Sequence, residues 1–428
     1  MKMEIEFPDR IIQLMRKGVS IPNPFSVEVG EEVDVDRISG SGVTLHSGTR
    51  IYGEKTLICS GTKVGCESPV TIVDCQIGPE VELKGGFFKE SVFLKKANMA
   101  YGAHVRECCI LEEESNGSHT VGLKQTILFP FVTLGSLINF CDCFMAGGTD
   151  RKNHSEVGSS YIHFNYTPNQ DKATASLIGD VPRGVMLNQP PIFLGGQGGL
   201  VGPVRIGYGT VIAAGIICRE NCPEEGKLFN PSHSPFYKGG NKGGLPSEEE
   251  FETGLYRNVK TKVYNNIYYL ANLLALRQWY IHVRRLFFQA DEFGPELYSG
   301  ALEKLHLSIE ERLKRFQDLS EKMEKSIEIG GKKFSGTEWE TLSRQKKELL
   351  ENWPKLEECF TGGFEGEIDL KNRDFFIQDI HDRLEKSPDY IKAIQGLNSQ
   401  SSSTGTAWLQ AIVDHVIDRT LDVIPAYK

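Results

Sequence analysis

Phe193-Leu-Gly-Gly-Gln-Gly198, Gly199-Leu-Val-Gly-Pro-Val204, Arg205-Ile-Gly-Tyr-Gly-Thr210, Val211-Ile-Ala-Ala-Gly-Ile216 and Ile217-Cys-Arg-Glu-Asn221 run on in a single six-residue frame. Leu194, Leu200, Ile206, Ile212 and Cys218 hold its second place, and a small residue follows in most repeats. Neither an α-helix, with 3.6 residues per turn, nor a strand, with two, repeats every six. Hexapeptide repeats build parallel β-helices, in which each repeat supplies one short strand and one turn. Three repeats close one triangular coil, the aliphatic residue points inward on each face, and coils stack at roughly 4.8 Å. A small residue at the corner lets the backbone turn without a Cβ clash.

Working outward from this stretch, the chain N-terminal to it is rich in Gly, Val, Ile and Thr from about residue 40. Val43, Ile51, Ile58, Val64, Ile72, Ile77 and Val81 mark short strands with little helix signal. The six-residue step survives from Ile58 to Val64 and resumes at Val121 and Ile127. Residues 40–222 therefore read as one parallel β-helix with projecting loops, and residues 1–39 as a lead with a short helix over Asp9–Lys17. Residues 223–250, dense in Gly, Pro, Ser and Asn, read as an arm or linker.

From residue 251 the period becomes helical. Val263, Ile267, Leu270 and Leu274 keep a 4-3-4 spacing. Ser308 to Glu311 and Thr337 to Glu340 have the form of capping boxes, and Pro388 stands where a first helical residue is expected. The tail from Ala407 carries Leu409, Ile412, Val413, Val416 and Leu421. The predicted fold class is β-solenoid plus α, with five or six helices in residues 251–428.

The 428 residues carry a net charge of −9, which argues against a general nucleic-acid-binding surface. The longest apolar run, Ile267 to Leu276, is well short of the ~20 residues that span a bilayer. The N-terminal stretch lacks a signal-peptide core, so a cytoplasmic location is expected. The ten cysteines are scattered without a CxxC pair and read as free thiols, with Cys141-Asp142-Cys143 the best seed for a zinc site; no metal is expected.

Residues 152–222 hold more than hexads. Asn165-Tyr166-Thr-Pro-Asn-Gln-Asp-Lys172 precedes Ile178-Gly179-Asp180, then Phe193-Leu-Gly-Gly196, Leu200-Val-Gly-Pro-Val204 and Ile212-Ala-Ala-Gly215. This run resembles the acetyltransferase domain of the bifunctional N-acetylglucosamine-1-phosphate uridylyltransferase/glucosamine-1-phosphate acetyltransferase family, a left-handed β-helix whose pattern is NYDG-x-x-K, IGD, F-[IV]-G-S, L-[VI]-A-P-V and IAAG. The resemblance covers about a quarter of the chain. It implies a CoA-dependent N-acyltransferase acting on an amino-sugar phosphate or a nucleotide-linked amino sugar, with acetyl-CoA or another acyl-CoA as donor, in a homotrimer with sites between prisms. The alternative is a non-catalytic β-helix protein that binds a sugar nucleotide or a partner protein.

By position, the resemblance assigns Asn165, Tyr166 and Lys172 to substrate. Gly196 and Ala214 would lie along coenzyme A, and Arg219 is one of several cations, with Arg183, Arg205, Lys238 and Lys242, near the expected CoA end. The resemblance implies a histidine as general base, His154 in Lys152-Asn-His154 first and His163 as rival. The chain departs from the family in placing Lys172 one residue late, in having Gly at 196 for Ser, in the insertion Val181–Pro191, and in its helical tail. The Gly-rich phosphate loop of the uridylyltransferase domain is not found in this sequence, so pyrophosphorylase activity is not expected.

Overall fold

Inward aliphatic residues and left-handed corners together wind residues 28–229 into a three-faced parallel solenoid. We describe it from a computed structural model, over residues 7–230, 251–289 and 292–428. The first face is a ten-stranded sheet from Glu28–Val29 to Ile217–Cys218, the second has eight strands from Leu57–Ile58 to Arg205–Ile206, and the third has ten from Thr44–Leu45 to Leu228–Phe229. Pairing along each face is parallel, for example Ile58 beside Ile77 and Ile77 beside Phe93. The register residues Leu194, Leu200, Ile206, Ile212 and Cys218 fall on faces three, one, two, three and one, all buried. Strand pairing starts at Glu28, ahead of residue 40, and continues past residue 222 to Phe229.

Glycine turns only some of the corners. The corner between faces one and two stacks Asp74, Glu90, Cys108, Gln125 and Asp142, all at φ between 48° and 61°. The corner between faces two and three stacks Glu80, Lys96, Glu114 and Phe131, and the corner between three and one stacks Thr120, Leu137 and Ser160. Non-glycine residues reach this left-handed region only at a cost that tertiary packing must offset. These corners hide the hexads in residues 70–160, where a search for Gly after an aliphatic residue loses the frame.

The interior is one continuous apolar column. Ile77 is fully buried in the ladder of the second face. Ile77→Ala is expected to cost about 2–5 kcal/mol, read as a lower urea midpoint at unchanged slope.

The second face has a second cover. Both residues of Leu57-Ile58, Val92-Phe93, Ile110-Leu111 and Ile127-Leu128 are buried, because helices lie on the outside. We number the helices α1 (Asp9–Lys17), α2 (Val181–Gly184), α3 (Lys260–Trp279), α4 (Arg285–Phe288), α5 (Gly294–Lys333), α6 (Thr337–Glu351), α7 (Trp353–Thr361), α8 (Leu370–Leu384), α9 (Tyr390–Gln395) and α10 (Ser399–Val423). A π-helical segment, Tyr280–Arg284, joins α3 to α4. α5 packs on the strands Gln76–Ile77, Val92–Phe93 and Ile110–Leu111, and α3 on Ser176–Ile178. α3 is buried nearly all round, so its apolar run is the centre of a helical layer. Among the described residues, no helix is long and apolar enough to cross a membrane.

Three helix boundaries differ from expectation. Ser308 lies inside α5, where its hydroxyl donates to the Lys304 carbonyl at 2.9 Å instead of capping. α6 does begin at Thr337, but the residue before it is Gly336 at φ 93°, and no side chain caps it. α9 starts at Tyr390 with the Asp389 carboxylate accepting from Lys392 N, so Pro388 stands outside it. The arm over residues 223–250 lies outside the described residues from 231 onward.

Candidate functional site

The insertions of the last coils emerge at corners, and each predicted group of site residues sits on its own edge of the prism. His154 lies on the edge between faces two and three, Asn165 to Lys172 between faces one and two, and Gly196 and Ala214 between faces three and one. Within one chain these groups do not share a cleft.

His154 ends a small antiparallel hairpin, Gly148–Asp150 against Asn153–His154. The Asp150 carboxylate accepts from Lys152 N at 2.7 Å and Asn153 N at 3.1 Å, which shapes the tip, and these backbone donors hold its carboxyl below the usual carboxylate range. Arg151 ties the tip back to the solenoid through the carbonyls of Glu114 (3.0 Å) and Phe131 (2.8 Å). The His154 ring is half-buried. Its Nε2 lies 3.8 Å from the Glu156 carboxylate, and its Nδ1 is buried without a hydrogen-bond partner. Glu156, the outward residue of the next strand, is therefore the group placed to orient this ring; the spacing His-x-Glu was the signal for it.

His163 occupies an inward position, stacked in the ladder next to Phe140. Both ring nitrogens are taken, Nδ1 at 2.6 Å from the Cys141 carbonyl and Nε2 at 2.7 Å from Ser176 Oγ. A ring so held presents no nitrogen to a soluble amine, and its place in the solenoid is structural. Burial, partly offset by Asp142, lowers its pKa to about 4 from an ordinary 6.5. Between pH 6.5 and 4 the unfolded chain therefore binds the proton that the folded chain refuses. Stability should fall on acidification through this window, by about 3 kcal/mol near pH 4. Chemical denaturation at pH 7 and pH 4.5 should show a smaller difference for His163→Gln than for the parent chain.

The Asn165–Lys172 loop is belted to the helices. Asn165 donates to Asp142 Oδ2 at 3.1 Å, and Arg312 of α5 meets Asp142 Oδ1 at 2.8 Å. Arg312 also reaches Gln125 (2.6 Å) and the Lys172 carbonyl (3.4 Å). Asp171 is fully buried, with Lys262 at 3.0 Å and the Tyr256 hydroxyl at 2.9 Å. Burial alone would raise its carboxyl; Lys262, Thr167 and Tyr256 more than offset this and hold it low. Lys322 donates to the carbonyls of Asn169 and Gln170 at 2.9 and 2.7 Å. The side chains of Tyr166 and Lys172 remain exposed.

Gly195 and Gly196 stand where successive coils approach closely. A Cβ on Gly195 would lie 2.3 Å from Ala214 N, and one on Gly196 would lie 2.6 Å from the Ser159 carbonyl oxygen. This backbone contact accounts for Gly in place of Ser at 196. The edge is flanked by exposed apolar side chains, Phe193, Val211 and Leu228 on face three and Ile162, Phe164 and Ile217 on face one. Arg219 is exposed but lies on the other side of face one. Arg183 is held by Asp180 and Glu225, and Lys238 and Lys242 lie outside the described residues. In the Cys141-Asp142-Cys143 segment, Asp142 pairs with Arg312 and Cys143 points into the core. Among the described residues no group of three or more His, Cys, Asp or Glu side chains stands ready for a metal ion.

No protein-family model matches this chain. Several curated proteins do. Bifunctional protein GlmU of Thermotoga petrophila is 26% identical over 215 residues, covering 50% of this chain and 42% of that protein. Its counterparts in Pelobacter propionicus and Fervidobacterium nodosum are each 28% identical, over 212 and 225 residues. The matches cover 49% and 52% of this chain and 40% and 44% of those proteins. The solenoid is related to the acetyltransferase domain of GlmU. The chain spans about two fifths of the length of these GlmU relatives. The helices on the second face hold the loop that carries Asn165 and Lys172.

Proposed function

We propose that the chain is a CoA-dependent N-acyltransferase acting on an amino-sugar phosphate or a nucleotide-linked amino sugar. The observation that carries this reading is the Asn165-Tyr166…Lys172…Ile178-Gly179-Asp180 run, followed by the Gly196 and Ala214 edge, in a solenoid related to GlmU. In this reading His154 Nε2, beside the Glu156 carboxylate, takes the proton as the acceptor amine attacks the thioester carbonyl; the amide bond forms, the C–S bond breaks, and the imidazolium returns the proton to the leaving coenzyme A thiolate. The exposed Lys172 meets substrate phosphate, and the acyl-CoA lies along the backbone exposed at Gly196 and Ala214.

Because the three groups stand on three edges of one prism, a complete site draws on neighbouring copies. The apolar ladders beside Gly196 and Ala214 support a homotrimer packed through this edge. Val211→Glu with Ile217→Glu is expected to convert the assembly to monomer, as read by light scattering after size exclusion; a monomeric parent chain would refute the trimer.

The decisive assay is acyl transfer to glucosamine phosphates and UDP-amino sugars, alongside thermal stabilisation by acetyl-CoA and longer acyl-CoAs. Stabilisation by a thioester with turnover supports the transferase. No stabilisation by any thioester at millimolar concentration overturns it. The second reading, a non-catalytic sugar-nucleotide binder, is favoured by the engaged amide of Asn165 and the belt around its loop. Stabilisation by a sugar nucleotide without turnover would select it.

A further inference from the structure

The seam between solenoid and helices contains a cavity of about 360 Å³ on the edge between faces two and three. That is at the lower end of the ~300–1,000 Å³ typical of small-molecule pockets. Its floor is Arg284, the last residue of the π-helical segment, 1% exposed. One guanidinium nitrogen, Nη2, bonds Glu113 at 2.5 Å, and the plane stacks on the Tyr390 ring at 3.7 Å. Nε and Nη1 are buried and have no partner, and neither does Glu113 Oε2. Buried donors on a charged group are rarely left open, because the lost hydration is not returned. Lys95, Lys96 and Lys392 line the cavity together with Glu114 and Asp389, and Phe287, Phe288 and Leu297 give it an apolar side. π-turns are uncommon and often mark functional places in helices.

We infer that this cavity is a second ligand site, which seats the oxyanion of a small organic phosphate or carboxylate on one of the two unpartnered guanidinium nitrogens of Arg284. Nη2 is taken by Glu113 and the two remaining donors diverge, so the anion accepts a single charge-assisted bond from one of them. The open Glu113 oxygen asks for a donor on the same ligand, so the body carries a hydroxyl or an amine. Lys95 and Lys96 pair loosely with Asp389 and Glu80 at 3.8 and 3.9 Å, and Lys392 adds charge without fixing geometry. The site lies apart from the Gly196 and Ala214 edge, and it joins strands of the solenoid to α4, α5 and α9, so a bound ligand clamps the two parts together.

The test uses the full chain without any thioester, titrated calorimetrically with inorganic phosphate and, separately, acetate at constant ionic strength in chloride. Saturable binding of either probe, with a matching rise in Tm, is expected, and the tighter probe identifies the anion class. Lys96→Ala and Lys392→Ala, both outside the buried pair, should fold as the parent does and weaken the probe at least about threefold each. Arg284→Lys, which keeps the charge but withdraws the unpartnered guanidinium nitrogens, should abolish saturation. Absence of saturable binding of both probes in the parent chain overturns the proposal. So does binding that is unchanged in the Lys96→Ala, Lys392→Ala double variant, which would place the anion elsewhere.

Discussion

Arg312→Met is expected to destabilise the protein by about 3–5 kcal/mol, the usual cost of stranding one member of a buried ion pair. Arg312 and Asp142 are 4% and 3% exposed in their side chains, and water does not replace the lost partner. The same substitution removes the bonds to Gln125 and to the Lys172 carbonyl. A urea titration measures the loss. Asp142→Asn combined with Arg312→Met should recover much of it, because the carboxylate charge is then gone and Asn tolerates the φ of 60° at this corner. If the double variant is as unstable as the sum of the single ones, the pair is not the link between loop and helix. The Asn165–Lys172 loop should become susceptible to proteolysis in Arg312→Met, since its tie to α5 is cut.

His154→Gln should lower the rate of acyl transfer by about 10²–10⁴-fold while leaving the melting temperature within a degree or two of the parent, as removal of a general base does. Glu156→Gln should give a smaller loss, because it disturbs the orientation of the ring and not the base itself. Saturation kinetics with an amino-sugar acceptor would separate these effects from Lys172→Ala, which is expected chiefly to raise KM. A His154→Gln protein with the parent's rate would remove this residue from the mechanism. His163 is no substitute there, enclosed as it is between Cys141 and Ser176.

The solenoid was legible because Leu194 to Cys218 keep a strict frame, and its helical partner because the period changes after residue 251. Less of the rest could be read. Polar residues in left-handed corners, such as Asp74, Glu90 and Gln125, look like ordinary surface positions in sequence, so the coils of residues 70–160 lost their register. The cover over the second face did leave a trace. Doublets such as Val92-Phe93 and Ile110-Leu111 are apolar at both places, whereas Lys63-Val64, Glu82-Leu83 and Thr133-Leu134 on the third face alternate. A strand with two apolar sides is covered on both. Of the site, a motif placed Asn165 and Lys172 on one loop, but the ion pair that holds this loop joins residues far apart in sequence, Asp142 and Arg312, and no local pattern announces it. His163 illustrates the converse. It and Tyr161 are the inward residues of a strand, alternating with Ile162 and Phe164, and that two-residue period outweighs its place next to the motif.

The same doublet pattern has an architectural consequence. Phe193-Leu194, Val211-Ile212 and Leu228-Phe229 are apolar at both places, yet their outer side chains stay exposed among the described residues. If copies gather at that edge, the assembly has a fixed inside and outside. The thin, glycine-lined seams turn toward the axis, and the helical layers form an outer wall three prisms round. In that arrangement a ligand of the cavity between solenoid and helices would approach from the rim, and the acyl donor of the proposed transferase along the seams.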